Sequence, residues 1–258
     1  MNIKWNAENY RDNFSFVYEY GEELTGMFTL GRGSRIADVG CGSGALTKKL
    51  CDMGYEVIGI DSSAEMLSLA KSTAPAASFM LADAAKFSLE KPADGIFSNA
   101  VFHWIDDLSA LAKNLAANLR AGGELVCEFG GKGCAEAVHS ALENIFAERG
   151  LSYRRTFNFQ SIGSFAPVLE GAGLTPVFCS LFPRPTRQKG EDGLKNWILT
   201  FLKKPFEGLA GGVRDEIIAE AESRLRAKLY KDGQWVIDYV RIRVKAVKNP
   251  IGTAICRN

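Results

Sequence analysis

Residues 38–44 read DVGCGSG, with glycine at 40, 42 and 44. Two further acids follow at the ends of apolar runs, Asp61 in VIGID and Asp83 in LADA. The spacing Gly40-x-Gly42-x-x-Ala45, with Asp61 downstream, satisfies the loose dinucleotide pattern, in which a phosphate rests on a helix N-terminus. An NAD(P)-dependent oxidoreductase is therefore one reading. Asp38 argues against it, because a carboxylate two residues before the first glycine repels a pyrophosphate. A nucleoside bearing a sulfonium and an ammonium, and no phosphate, is attracted instead. S-adenosylmethionine (SAM) is such a ligand. Asp61 can accept both ribose hydroxyls, and Asp83 with Ala84 can address the adenine edge. The plainer alternatives are a tight turn for the glycines, a helix cap for Asp61 and an Asx-turn for Asp83.

These residues need a scaffold that brings strand ends together. SRIADVG, YEVIGID, ASFMLAD, GIFSNA and ELVCEF read as five strands. Helices fall between them: Leu46, Leu50 and Met53 share one face, and Ser62 with Glu65 forms a capping-box pattern ahead of Met66, Leu67 and Leu69. Leu108, Leu111, Ala112, Leu115 and Leu119 mark another helix, ended by Gly122 and Gly123. This alternation predicts an α/β, doubly wound, mostly parallel sheet. Ligands bind there beyond the carboxyl ends of the strands, which gathers Asp38–Gly44, Asp61, Asp83, Asn99–Trp104 and Glu128–Gly131. TPVFCSLF is a sixth strand, and the alternating run WVIDYVRIRVKAV is one long last strand. Residues of about 190–230 read helical and form a lid insertion. Residues 1–30, with Trp5, Tyr10, Phe14, Val17 and Tyr18, read as a helical cover.

The 258 residues carry a net charge of +1, which favours neither nucleic acid nor an anionic membrane. No apolar run spans a bilayer and the start carries no signal-peptide core, so the expected address is the cytoplasm. Six scattered cysteines and two histidines predict reduced thiols and no metal centre.

Taken together, DVGCGSG, VIGID, ADA and LRAGGELVCEF resemble the motifs of class I SAM-dependent methyltransferases. The resemblance covers about residues 34–130 and implies residues 31–258 as the methyltransferase domain. It also implies seven strands, with an antiparallel last strand inserted between the fifth and sixth. It places Asp38, Gly40 and Gly42 at the methionine end, Asp61 at the ribose, Asp83 and Ala84 at adenine, and Asn99 near the methyl group. Cys41, Ser62 and Met66 join the cofactor-binding set. More narrowly, SNAVFHWIDD is similar to the segment after the fourth strand in trans-aconitate and malonyl carrier-protein methyltransferases, which make methyl esters. Those enzymes carry Gln-Trp where this chain has His103-Trp104.

The expected activity is therefore O-methylation of a small acceptor, a carboxylate or similar group, free or carrier-bound. A SAM-binding protein without catalysis is the other alternative. A carboxylate needs no base, whereas a phenol, alcohol or amine does; His103 and Trp104 are the candidate catalytic residues. Arg184, Arg187, Arg241 and Arg243 are candidate carboxylate receivers. Trp235 and Tyr239 fall near the pocket rim if the last strand is antiparallel. His139 reads as a surface residue. Nucleic-acid methylation is disfavoured, since NAVF stands where two prolines mark base-methylating enzymes, and no basic cluster occurs.

Overall fold

A computed structural model describes residue 21 and residues 23–249. Most of the expected N-terminal cover, including Trp5, Tyr10, Phe14, Val17 and Tyr18, lies outside the described residues. The chain alternates strand and helix as expected: β1 (Arg35–Val39), α1 (Ala45–Asp52), β2 (Glu56–Asp61), α2 (Ala64–Thr73), β3 (Ser78–Leu81), β4 (Ala93–Asn99), α3 (Leu108–Asn118) and β5 (Leu119–Gly130). Then come α4 (Glu136–Glu148), α5 (Ile162–Gly171), β6 (Leu174–Pro183), β7 (Thr186–Gln188), α6 (Gly193–Phe201) and α7 (Gly211–Leu229). Three strands close the chain: β8 (Tyr230–Lys231), β9 (Gln234–Ile237) and β10 (Val240–Lys248).

Two compact units are present. The first holds the described residues up to Phe129, Gln160–Leu181, and the described residues from Ile242. Its seven-stranded sheet runs β3-β2-β1-β4-β5-β10-β6, with parallel pairing from β3 to β5. β10 is antiparallel to its neighbours: Lys248 at its end reaches the carbonyl of Leu119 at the start of β5, and the Asn249 amide reaches Gly173 at the start of β6. The sheet is buried on both faces, so neighbouring residues face opposite cores. Ile96 and Leu125 pack on one side with Leu111, Leu115 and Phe165; Phe97 and Val126 pack on the other with Leu24, Phe28 and Leu50. Among the described residues, no helix is long and apolar enough to cross a membrane.

The second unit holds Gly130–Phe159 and Phe182–Arg241. Here α6 and α7 accompany a small antiparallel sheet, β7-β9-β8, that buries Trp235 and Ile237 completely. The helices expected over 190–230 form, and the small sheet is an addition to them. Arg149 reaches Glu216 and Glu220 on α7, and Arg224 of α7 reaches Glu148 on α4.

Four local expectations are corrected. The long last strand is two strands in two sheets: β9 joins the small sheet and β10 the large one. The chain breaks at Asp238, whose Oδ2 accepts the Ala137 amide at the start of α4. Gly122 and Gly123 do not end α3. They lie inside β5, where the register against β4 jumps between Ala93↔Leu119 and Gly95↔Glu124 and leaves room for them. The cap of α2 is Ser63, not Ser62, and its side chain accepts from the Met66 amide. His139 is completely buried rather than at the surface. Its Nδ1 lies 2.8 Å from the Tyr153 hydroxyl, and Tyr153, Phe157 and Phe159 set their rings edge-on around it.

Candidate active site

β1, β2 and β4 end side by side, and the loops that leave them carry the polar residues singled out by the sequence. The glycine loop is fastened to β2 by backbone bonds: the Gly40 and Cys41 amides donate to the Ile60 carbonyl at 2.7 and 3.1 Å. Gly40 adopts a positive φ of 77°, and a Cβ there would stand 2.2 Å from Cγ2 of Val101. Only glycine fits that left-handed, crowded position. Gly42 also has a positive φ, 53°, but a Cβ built on it meets nothing within 4 Å among the described residues. Among the described residues, space is therefore open above Gly42 and closed above Gly40.

Asp61 links the loop to α2. Its Oδ2 accepts the Gly42 amide at 3.0 Å and its Oδ1 accepts the Ser63 amide at 2.9 Å. A carboxylate has about four acceptor sites, so both oxygens keep capacity for further donors. Burial pushes its pKa up, and the amides of Ser63, Gly42 and Ser62 oppose that shift. Ser62 itself is exposed, whereas Met66 is buried.

Asp38 is only 2% exposed and accepts a 2.6 Å hydrogen bond from Thr47 Oγ1. Burial raises its pKa to about 7; the Thr47 bond opposes the rise and the charge of Asp61 adds to it. Thr47 was not among the expected residues. Its signal is a polar residue three positions from Leu50 on the buried face of α1. Cys41 is buried, and desolvation together with Asp38 and Asp61 holds its thiol protonated.

On β3's exit, Asp83 Oδ1 accepts the Ala85 amide at 2.8 Å, the Asx-turn of the plainer alternative. Ala84 is buried, and its carbonyl accepts from Asn114. Asn99 ends β4 almost buried, opposite Glu128 in the β4–β5 register. The next residue, Ala100, takes a positive φ of 61° and donates its amide to the Glu128 carbonyl at 2.7 Å. That bend leads into a short 3₁₀ turn, Phe102–Trp104. His103 is 7% exposed and stacks on Phe129 at 6.5 Å and 22°, with Trp104 tilted against it at 5.3 Å.

Of the four candidate arginines, Arg243 is committed to a buried ion pair, with Nε 2.7 Å from Oε2 of the fully buried Glu128. Arg184 stacks on Phe182, and Arg187 sits on β7 in the small sheet. Arg241 is buried at the head of β10. Trp235 is buried in β9, and Tyr239 receives the Trp197 indole N–H.

The chemistry of this set can be tested against the two nucleotide classes. Residues 38–44, 61–63 and 83–85 contain three acids and no lysine or arginine. A pyrophosphate finds no counter-charge there. A sulfonium nucleoside, which carries positive charge and hydroxyl donors, is compatible with three carboxylates. The residues fit SAM.

Comparison with known proteins gives the same direction. Residues 37–127 match the family described as a methyltransferase domain. An uncharacterized methyltransferase of Schizosaccharomyces pombe is 27% identical over 95% of this chain and 98% of its own length. The trans-aconitate 2-methyltransferase of Delftia acidovorans is 28% identical over 96% of this chain and 100% of its own. Among solved structures, a proposed methyltransferase of Bacillus halodurans superposes with a TM-score of 0.65 at 15% identity, covering 88% of this chain and 98% of that one. A phosphoethanolamine N-methyltransferase of Haemonchus contortus, solved with phosphomonomethylethanolamine and S-adenosylhomocysteine, gives 0.56 at 16% identity, over 90% of this chain and 53% of that one. The two structures show a shared fold.

Proposed function

We propose that this chain, a class I SAM-dependent methyltransferase, methylates a carboxylate oxygen of a small acceptor, free or carrier-bound. The observation that carries the cofactor half is Asp61, held by two loop amides with acceptor capacity to spare. The acceptor half is supported by the full-length likeness to trans-aconitate 2-methyltransferase.

SAM, when bound, supplies a methyl group already activated by its sulfonium. The residues then have positioning and desolvation to do rather than proton chemistry. In this reading Asp61 accepts the ribose hydroxyls, Asp83 and Ala84 border the adenine, and Asp38 supplies negative potential at the methionine end. Gly42 leaves the room that the cofactor needs. Asn99 borders the methyl group, and the His103–Trp104 turn faces the acceptor. A carboxylate is ionised at neutral pH, so His103 orients it by a hydrogen bond and takes no proton.

The test is an acceptor screen with SAM, read by mass spectrometry. Unsaturated di- and tricarboxylic acids and an acyl carrier substrate should gain a methyl group that mild alkali removes. Alkali-stable methylation of amines, with none on the acids, would overturn the acceptor.

A further inference from the structure

The large sheet has two edges of unequal character. At one end β3 is four residues long. At the other β6 is ten residues long, reading LTPVFCSLFP without a charged side chain. Four large hydrophobic side chains are exposed among the described residues, and three stand on β6: Val177 at 58%, Phe178 at 45% and Leu181 at 38%. The fourth, Leu81, lies on β3. Edges are ordinarily blunted by shortness, charge or proline, because their unpaired amides and carbonyls invite another strand. β3 is short. β6 has Pro176 near its start and Pro183 at its end, which leaves the stretch Val177–Phe182 between them able to pair.

We propose that β6 is a homodimer interface, in which the β6 edges of two copies pair antiparallel across a two-fold axis. The occupant is a second copy because the strand suits itself. An uncharged strand sets no like charges opposite each other when it meets its twin. Its flanks are oppositely charged, Glu170 upstream and Arg184 downstream. Antiparallel pairing brings the upstream end of one copy to the downstream end of the other, matching acid with base at both ends. Parallel pairing would set like against like. A two-fold axis also closes the assembly at two copies, since each sheet spends its one long edge.

Sedimentation of the full chain tests this, with Val177→Lys, Phe178→Lys and the control Leu81→Lys. The native chain and the control should sediment at twice the chain mass, and both β6 variants at the chain mass. SAM should raise the melting temperature of every variant, showing that the first unit is folded. A native chain that sediments at the chain mass, or β6 variants that stay folded and dimeric, would overturn the proposal.

Discussion

The amide of Gly42 donates to the carboxylate of Asp61 across 3.0 Å, so the loop after β1 and the end of β2 act as one hydrogen-bonded piece. The same carboxylate, through its other oxygen, holds the Ser63 amide at the start of α2. One acid thus sets the shape of the loop, and both of its oxygens keep capacity for further donors.

Asp61→Ala should weaken SAM binding by roughly 10- to 100-fold, the equivalent of about 1.5–3 kcal/mol for hydrogen bonds to a charged group. Asp61→Asn, which keeps one oxygen, should lose less. Titration calorimetry decides this, and an unchanged affinity in Asp61→Ala would take the ribose role away from Asp61.

The two loop glycines should fail in different ways. Gly40→Ala combines a positive φ with a clash against Val101, and should cost about 2–4 kcal/mol of stability. Gly42→Ala has room for its methyl group and should cost about 1–2 kcal/mol. Its larger effect should be on SAM affinity, because the methyl occupies the space assigned to the cofactor. Urea unfolding and calorimetry on the two variants would show whether stability and binding separate in this way.

SAM binding should be linked to proton release near neutral pH. The folded pKa of Asp38, about 7, lies above its ordinary 3.8. Without ligand, the stability from this group is fully present below about 3.8 and is lost as pH rises towards 7. A cation beside Asp38 favours the ionised form, so binding expels the proton and SAM affinity rises as pH climbs through the range around 7. S-adenosylhomocysteine, with a neutral sulfur, should show a shallower rise. Calorimetry in two buffers of different ionisation enthalpy reads the released proton, and equal heats in both would separate Asp38 from the cationic end.

His139 should make the second unit acid-sensitive. Burial first, then the charge of Arg155, lowers its pKa from 6.5 to about 4. Its contribution to stability is therefore complete above about 6.5 and is lost as pH falls towards 4. His139→Leu should flatten that slope. Tyr153→Phe should keep the slope and cost about 1 kcal/mol from the lost hydrogen bond. Urea midpoints measured across this range would distinguish the two.

The sheet and the residues at its strand ends were legible because strand–helix alternation and glycine exits are local signals. Asp38, Gly40, Gly42, Asp61 and Asn99 follow from them directly. Thr47 leaves only the weak signal of a polar residue on a buried helix face, and a threonine there does not announce a carboxylate nine residues away. The burial of His139 depends on Tyr153, Phe157 and Phe159 from a stretch with no helix or strand, so its cover leaves no periodic trace. The split between β9 and β10 was hidden for another reason. Both strands keep the same period of two, and a strand that changes sheets need not change its pattern.

The place of β10 has a consequence for how the chain is made. β10 lies between β5 and β6, yet among the seven strands of this sheet it is the last to be synthesised. The block from β3 to β5 can assemble while synthesis continues, because its pairings join neighbouring parts of the chain. β6 has no sheet to join until β10 arrives. Throughout that interval the nascent chain carries an open β5 edge and an apolar β6, which is when it most needs protection from aggregation. Completion of this sheet is thus the final pairing step, reached only after every other strand of it has been made.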